Sequence, residues 1–382
     1  MNLYSLSKGP SLGTIVLAAC ALGCQASPPH ASFTGNAGLV RAEVLGQAEA
    51  VAQLLDEIAP QVIEVLPDTV ERDLEVWVQA APALYRFSET TYEEADGFWS
   101  EGHQRIHLRE SAMSLPRTLA HELVHASLGE TWSVLPGTIE EGLCDVVAAR
   151  LCPREALDLR AGRLSAAAFA LGGLELEVEL AVDGELPQGL SHESRLARRA
   201  AGLRVGCITR LRLLGEVTTG FGADDVFEIA AGLSTTDLPT NDKKALYGLS
   251  YLVVHRIVQR SGYRGLHALC LRADREGLQE VPGEWLLTAA GMPTADLGGW
   301  RAAIAEEIGI GELRTLLSIY PGLLLNPAER ILGSGTLVTI DRSGTAPLTA
   351  IVRVPGSRAE VRVRLDIELS GENHEKALAL KE

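Results

Sequence analysis

Two histidines four residues apart constrain the fold of this chain more than any other feature of its sequence. They lie in the segment His121-Glu122-Leu123-Val124-His125. Positions four apart share one face of an α-helix, so a helical conformation would let both imidazoles reach a single metal ion. A pair of solvated or core-facing histidines is the alternative interpretation.

The sequence around the two histidines favours a helix. Ser114 suits the N-cap and Pro116 the first turn, and Gly129 ends the helix shortly after His125. An alternating segment typical of a strand, Arg105–Arg109, comes directly before it. This context favours metal binding over a chance pair of histidines.

Glu122 follows the first histidine and is turned from it by about 100° around the helix axis, where its carboxylate can address a water molecule at the metal. Three protein ligands would leave a fourth position open for that water, as a catalytic rather than a structural zinc site requires. We therefore predict Zn2+ as the cofactor and Glu122 as the general base of a metal-assisted hydrolysis.

A second helix is predicted after Leu135-Pro136, ending before Pro153. Glu141 and Asp145 lie four apart on one face of it, so one carboxylate can bind the metal while the other accepts an imidazole N–H. Glu140 is the competing ligand, but it points about 100° away and has no acid four residues further on. In the alternative reading, both glutamates are solvated acids at the positive end of the helix dipole.

This pair of helices resembles the zinc site of gluzincin metallopeptidases, especially the peptidase MA-like group. In that group Leu-Pro is followed, four residues later, by Glu-Gly-Leu-Ala, and Leu135-Pro136 and Glu141-Gly142-Leu143 match at the same spacing. The resemblance implies that Glu141 is the third zinc ligand beside the two histidines. It also implies that Asp145 orients a ligand histidine.

The resemblance continues downstream, less specifically. Ala245–Val253, followed by Gly262–Leu266, resembles the next helix of the family and the turn after it, and Trp300 resembles the tryptophan that closes such domains. Residues 155–240 have no counterpart in the family. The similarity thus covers roughly residues 38–310.

Tyr247, on this downstream helix, is the candidate donor of a hydrogen bond to the oxyanion, as tyrosines are in some gluzincins. Tyr251 and His255 are weaker candidates, since a tyrosine on an amphipathic helix is more often a core residue with its hydroxyl at the rim. We predict that His103 and His107 are surface or substrate-edge residues and do not bind the metal.

The N-terminus predicts export. Lys8 precedes a short apolar run that is too short to span a bilayer, and Leu17-Ala18-Ala19-Cys20 resembles the lipobox of bacterial lipoprotein signals. By that resemblance Cys20 is lipidated, with Cys24 as the alternative, and an ordinary cleaved signal peptide is the competing interpretation. The expected location is the bacterial cell envelope outside the cytoplasm, with the lipid anchor as the sole attachment to a membrane.

Four cysteines remain beyond the leader: Cys144, Cys152, Cys207 and Cys270. An oxidising compartment would allow them to pair in three ways. Cys144 and Cys152 share one predicted helix and lie too far apart to bridge each other. We expect Cys144 to be a small packed thiol.

Charge limits the choice of partners. The chain has 34 Lys and Arg against 50 Asp and Glu, a net charge of −16, and it has no basic cluster. Such a surface repels phosphate backbones, so nucleic acid is excluded as a partner and a peptide or protein substrate is expected. The sequence assigns no oligomeric state.

The predicted fold class is α+β and zincin-like. We expect a small N-terminal sheet packed on the histidine helix, a mostly α-helical C-terminal half and a short β appendage at the end. The predicted segments are a signal peptide (1–24), a tether (25–37), a metallopeptidase domain (38–334, with a divergent insertion at 155–240) and the appendage (335–382). The expected function is zinc-dependent hydrolysis of peptide bonds, and the alternative is a catalytically inactive zincin-like lipoprotein that acts as a binding or scaffold module.

Overall fold

The computed structural model describes residues 29–80, 96–170, 174–181, 207–213, 240–293, 297–308, 337–340, 349–353 and 360–369, together with Glu312 and Thr315. These residues divide into two compact units. The first comprises the chain up to Pro60 and Arg72–Ala126, and the second comprises Gln61–Glu71 and the chain from Ser127 onward. None of the described helices has the length and apolar character needed to cross a membrane. The predicted lipidation site, Cys20 or Cys24, lies outside the described residues.

A five-stranded mixed sheet forms the first unit, in the order β1-β2-β3-β5-β4. The strand pairs β2–β3 and β3–β5 are parallel, and the outer strands β1 and β4 are antiparallel to their neighbours. The strands are β1 Ala31–Thr34, β2 Gly38–Ala42, β3 Leu74–Gln79, β4 Gly97–Ser100 and β5 Arg105–Arg109.

Alternating apolar residues place one face of this sheet in the core. Val76, Ile106 and Leu108 are fully buried. The sequence predicts β3 as half-buried, but Trp77 and Gln79 on its other face are buried as well. That face is therefore also covered toward the end of β3.

Helix α1 (Leu45–Val65) follows β2, and helix α2 (Leu115–Ser127) follows β5. Helix α2 packs directly on β4, because a side chain at Gly97 would come 2.7 Å from the Thr118 methyl group. Glycine at that position allows this close approach. The expected contact between the small sheet and the histidine helix is present within this unit.

The apolar periodicity from Gly38 to Ala59 predicts a helix that Pro60 kinks or ends. The start of this helix is predicted wrongly, because Gly38–Ala42 is strand β2 and the helix begins only at Leu45. The helix continues past Pro60 to Val65. The predicted tether contributes β1, because its alternating side chains find a pairing partner in β2. Sheet pairing across a turn decides both cases, and helical periodicity alone could not reveal it.

The second unit is mainly helical, as predicted. Its helices are α3 Gly137–Leu151, α4 Ala156–Ala170, α5 Thr240–Arg275, α6 Gly283–Ala290 and α7 Leu297–Glu307. Helix α5 is broken at Gly262, whose φ of 69° lies in the left-handed region that glycine tolerates. This break lies in Gly262–Leu266, where the resemblance implies a turn after the helix.

The residues that lead into α3 are held by the segment 67–70 of the same unit. The Trp132 indole donates a hydrogen bond to the Pro67 carbonyl at 2.8 Å, and the Gly129 amide donates to the Asp68 carbonyl at 2.9 Å. The Thr131 hydroxyl contacts the Asp68 carboxylate and lies 2.7 Å from Nε2 of His267. These bonds fix the start of α3 locally.

A second five-stranded sheet has the order β7-β6-β10-β9-β8. Its strands are β6 Leu174–Ala181, β7 Cys207–Leu213, β8 Leu337–Ile340, β9 Thr349–Arg353 and β10 Glu360–Leu369. The predicted appendage is thus not formed by the C-terminal residues alone, because β10 pairs with β6 from the predicted insertion. The coarse prediction of an α+β fold is confirmed.

Candidate metal centre

Helix α2 presents His121 and His125 together. The two rings meet edge to face, with their centroids 5.2 Å apart and their planes at 64°. Both residues are half-buried, whereas Leu119 and Leu123 on the other side of the helix are fully buried. The core therefore fixes which face of α2 carries the histidines.

The spacing of the two rings fits a zinc ion. An imidazole centroid lies about 3.2 Å from a zinc ion bound to one of its nitrogens, so two imidazoles at the tetrahedral angle have centroids about 5.2 Å apart. The observed distance of 5.2 Å agrees with this requirement. Imidazole is also among the donors that zinc prefers.

Ser114 starts helix α2, as predicted. The Thr118 amide and hydroxyl donate hydrogen bonds to its carbonyl at 3.0 and 2.9 Å, and the Arg117 amide lies 3.4 Å from its hydroxyl oxygen. Glu122, one residue after the first histidine, is only 6 % exposed.

Helix α3 carries Glu141 and Asp145 in the second unit. The helix is buried on nearly every side, and Asp145 is only 2 % exposed. Glu140 and Glu141 are both half-buried, so burial does not choose between them. A side chain at Gly142 would come 2.5 Å from the Ser250 carbonyl, so α3 and α5 are in backbone contact there.

Arg163 on α4 is a site residue that the sequence did not identify. Its Nε donates a hydrogen bond to Oδ2 of Asp145 at 2.5 Å, and its guanidinium carbon lies 4.6 Å from the centroid of the Tyr247 ring. One guanidinium thus contacts two of the predicted site residues. No local pattern marks an arginine 18 residues from its acid, so sequence reasoning had no signal for it.

The two weaker catalytic candidates on α5, Tyr251 and His255, make packing and ionic contacts within the fold. Tyr251 is 1 % exposed, and burial raises the pKa of its hydroxyl. Its ring stacks on His255 with centroids 5.4 Å apart, and Nε2 of His255 lies 3.1 Å from a Glu307 carboxylate oxygen. This His255–Glu307 contact ties α5 to α7.

The two histidines predicted at the surface, His103 and His107, have different environments. His103 is exposed, as predicted. The prediction for His107 is wrong, because it is fully buried, with its ring stacked 4.6 Å from Phe98. Burial, reinforced by the positive charge of Arg105, lowers the pKa of His107 to about 3.

Cys144, Cys152 and Cys270 are buried. The burial of Cys144 agrees with its prediction as a packed thiol. Burial raises the pKa of the Cys270 thiol to about 12, so this cysteine is unreactive.

No protein-family model matches this chain, and neither a curated protein nor a solved structure is significantly similar to it. The function must therefore be inferred from the residues of the site and their chemistry.

Proposed function

We propose that this chain is a zinc-dependent peptidase of the gluzincin kind, with a zincin-like fold, in which His121, His125 and Glu141 bind the metal. The edge-to-face pair of imidazoles on α2 is the observation that carries the proposal, because their 5.2 Å separation is the one that two ligands of a tetrahedral ion need.

Glu141 is the third ligand in this proposal, and Cys144 is the competing one. Cys144 follows Glu141 by three residues, so the two share a side of α3. Thiolate and carboxylate are both zinc ligands, and His121, His125 and Cys144 form a donor set that could hold a metal ion. We favour Glu141 because it lies one turn before Asp145 and acts electrostatically on Arg163.

When bound, the metal would polarise the scissile carbonyl and make a water molecule more acidic. Glu122 accepts the proton of that water and passes it to the leaving amine. Asp145 accepts an imidazole N–H and so fixes the tautomer of a ligand histidine. Tyr247 donates a hydrogen bond to the oxyanion.

An extended substrate would pair with strand β4. Strand β5 offers no free edge for this role, because it has β3 on one side and β4 on the other. Strand β4 is the outer strand of the described sheet and packs on α2 through Gly97. Main-chain pairing at such an edge is a common mode of peptide recognition.

We also propose that the chain is exported and anchored by a lipid on Cys20. This proposal rests on the lipobox resemblance of the leader. It would place the peptidase in the cell envelope, where peptide or protein substrates are exposed to it.

Replacing the proposed base tests the activity. Glu122→Gln keeps the size of the side chain and removes its basicity, so we expect cleavage of casein or a peptide library to fall by about a hundredfold or more while the metal content stays unchanged. Glu140→Gln is the matched control and is expected to cleave like the wild type.

Equal cleavage by wild type and Glu122→Gln would refute the peptidase proposal, and so would no cleavage by either protein. A wild type that binds zinc without cleaving any substrate would instead favour the inactive binding module.

A further inference from the structure

Arg163 supplies the positive charge beside an acid that is almost completely buried. Asp145 is 2 % exposed, and Nε of Arg163 donates a hydrogen bond to its Oδ2 at 2.5 Å. A carboxylate in such a place is costly to ionise unless a cation or several donors accompany it. The pairing therefore places a cation beside the Asp145 carboxylate and fixes the direction of that carboxylate.

The Arg163 guanidinium also contacts the aromatic ring of Tyr247, a residue of the proposed site. Its carbon lies 4.6 Å from the centroid of the Tyr247 ring, which is within cation–π distance. Asp145 comes from α3, Arg163 from α4 and Tyr247 from α5. One side chain thus connects three helices at the residues that the sequence singles out.

Two glycines bring these three helices together with little freedom to shift. At Gly248 on α5, a side chain would come 2.4 Å from the Ala167 amide nitrogen and 2.5 Å from the Arg163 carbonyl on α4. At Gly142 on α3, it would come 2.5 Å from the Ser250 carbonyl on α5. Backbone contact on both sides leaves Arg163 a narrow range of positions.

The electrostatics of Arg163 agree with this arrangement. Burial by itself would lower the pKa of its guanidinium, but the carboxylate of Asp145 outweighs burial, and the pKa is raised. Glu141 contributes in the same direction. Both acids of the ligand face of α3 therefore act on one cation.

We propose that Arg163 is a positioning residue of the metal site, which sets zinc affinity and turnover by holding Asp145 and Tyr247 in place. This inference rests on the proposed function. Lysine is a poor substitute for Arg163. Its single ammonium group lacks the planar set of N–H donors and cannot both hydrogen-bond the Asp145 carboxylate and stack on the Tyr247 ring.

Zinc affinity tests this role. We expect Arg163→Met to weaken zinc binding, measured by competition with a chromogenic chelator, by about 10- to 100-fold, the usual effect of losing a partner of a metal ligand. It should lower kcat more than it raises KM, and Arg163→Lys should restore part of the affinity. Arg160→Met is the matched control, since Arg160 lies on the same helix but pairs with Glu312 at 3.1 Å, and we expect its zinc affinity to stay within about threefold of the wild type.

A purely structural role would give a different result. If Arg163→Met lowers the thermal midpoint of the metal-free protein but leaves zinc affinity and the ratio of kcat to KM unchanged, the inference is wrong while the peptidase proposal stands. If the wild type binds no zinc, the proposed function fails and this inference fails with it.

Arg163→Met removes the cation beside the buried Asp145 carboxylate, and this variant could fail to fold. In that case the double variant Arg163→Met with Asp145→Asn gives the test, because it removes the buried negative charge together with its cation. We expect the double variant to fold and to bind zinc at least about tenfold more weakly than the wild type. Wild-type affinity in the double variant would overturn the inference.

Discussion

The residues of the proposed site differ in how far the sequence could identify them. His121, Glu122 and His125 are separated by one helical turn, so local periodicity was enough to place them on one helix. Arg163 and His107 depend on neighbours that are distant in sequence, Asp145 for one and Phe98 for the other. A single sequence carries no signal for such contacts, and both residues were missed or misplaced for that reason.

His107 yields a prediction about pH. Its pKa of about 3 in the folded protein lies below the ordinary value of 6.5, so as the pH falls the unfolded chain binds a proton first. This group leaves stability unaffected above about pH 6.5 and lowers it progressively toward pH 3, by roughly 4 kcal/mol at the lower end. Urea unfolding of His107→Gln should therefore show a shallower loss of stability with falling pH than the wild type.

The exposed His103 provides the control for this measurement. His103→Gln should follow the pH profile of the wild type, because His103 is exposed whereas His107 is buried. Identical profiles for His107→Gln and the wild type would show that His107 is not held neutral by burial.

Among the secondary structure elements, those bounded by proline or glycine were predicted best. Helix α3 begins directly after Pro136, and α5 breaks at Gly262. The strands β1, β2 and β4 were missed because each is short and is stabilised by pairing with a neighbour rather than by its own pattern.

The contact between α3 and α5 can be tested with glycine substitutions. Gly142→Ala would place a methyl group 2.5 Å from the Ser250 carbonyl, so the helices must move apart, and we expect a loss of about 1–3 kcal/mol in the free energy of unfolding. Gly162→Ala on α4 is the control, since Gly162 is exposed and a methyl group there has nothing within 4 Å. Alanine should stabilise that helix by up to about 1 kcal/mol. Urea denaturation measures both changes, and equal stability of the two variants would contradict the close packing at Gly142.

At the scale of the whole molecule, the sequence predicted the fold class but not how distant segments combine. The alternation of β10 identified it as a strand, yet its pairing with β6, in which Ile367 lies opposite Val178, joins segments almost two hundred residues apart. Composition and periodicity do not encode such a pairing. The sequence therefore predicts the insertion and the appendage as separate segments, whereas the second sheet contains strands from both.

The proposed ligands come from two helices, His121 and His125 from α2 and Glu141 from α3. A bound zinc ion would stabilise the folded protein by mass action. The proposed function therefore depends on one metal ion bound by these three residues.

Zinc stoichiometry and affinity of the purified protein test that claim most directly. We expect elemental analysis to find one zinc ion per chain in the wild type, and chelator competition to show that His121→Ala and His125→Ala each weaken binding by more than about a hundredfold. Glu141→Gln should also weaken it, whereas His103→Ala should leave it unchanged. A wild type without bound zinc, or histidine variants that retain wild-type affinity, would contradict the account.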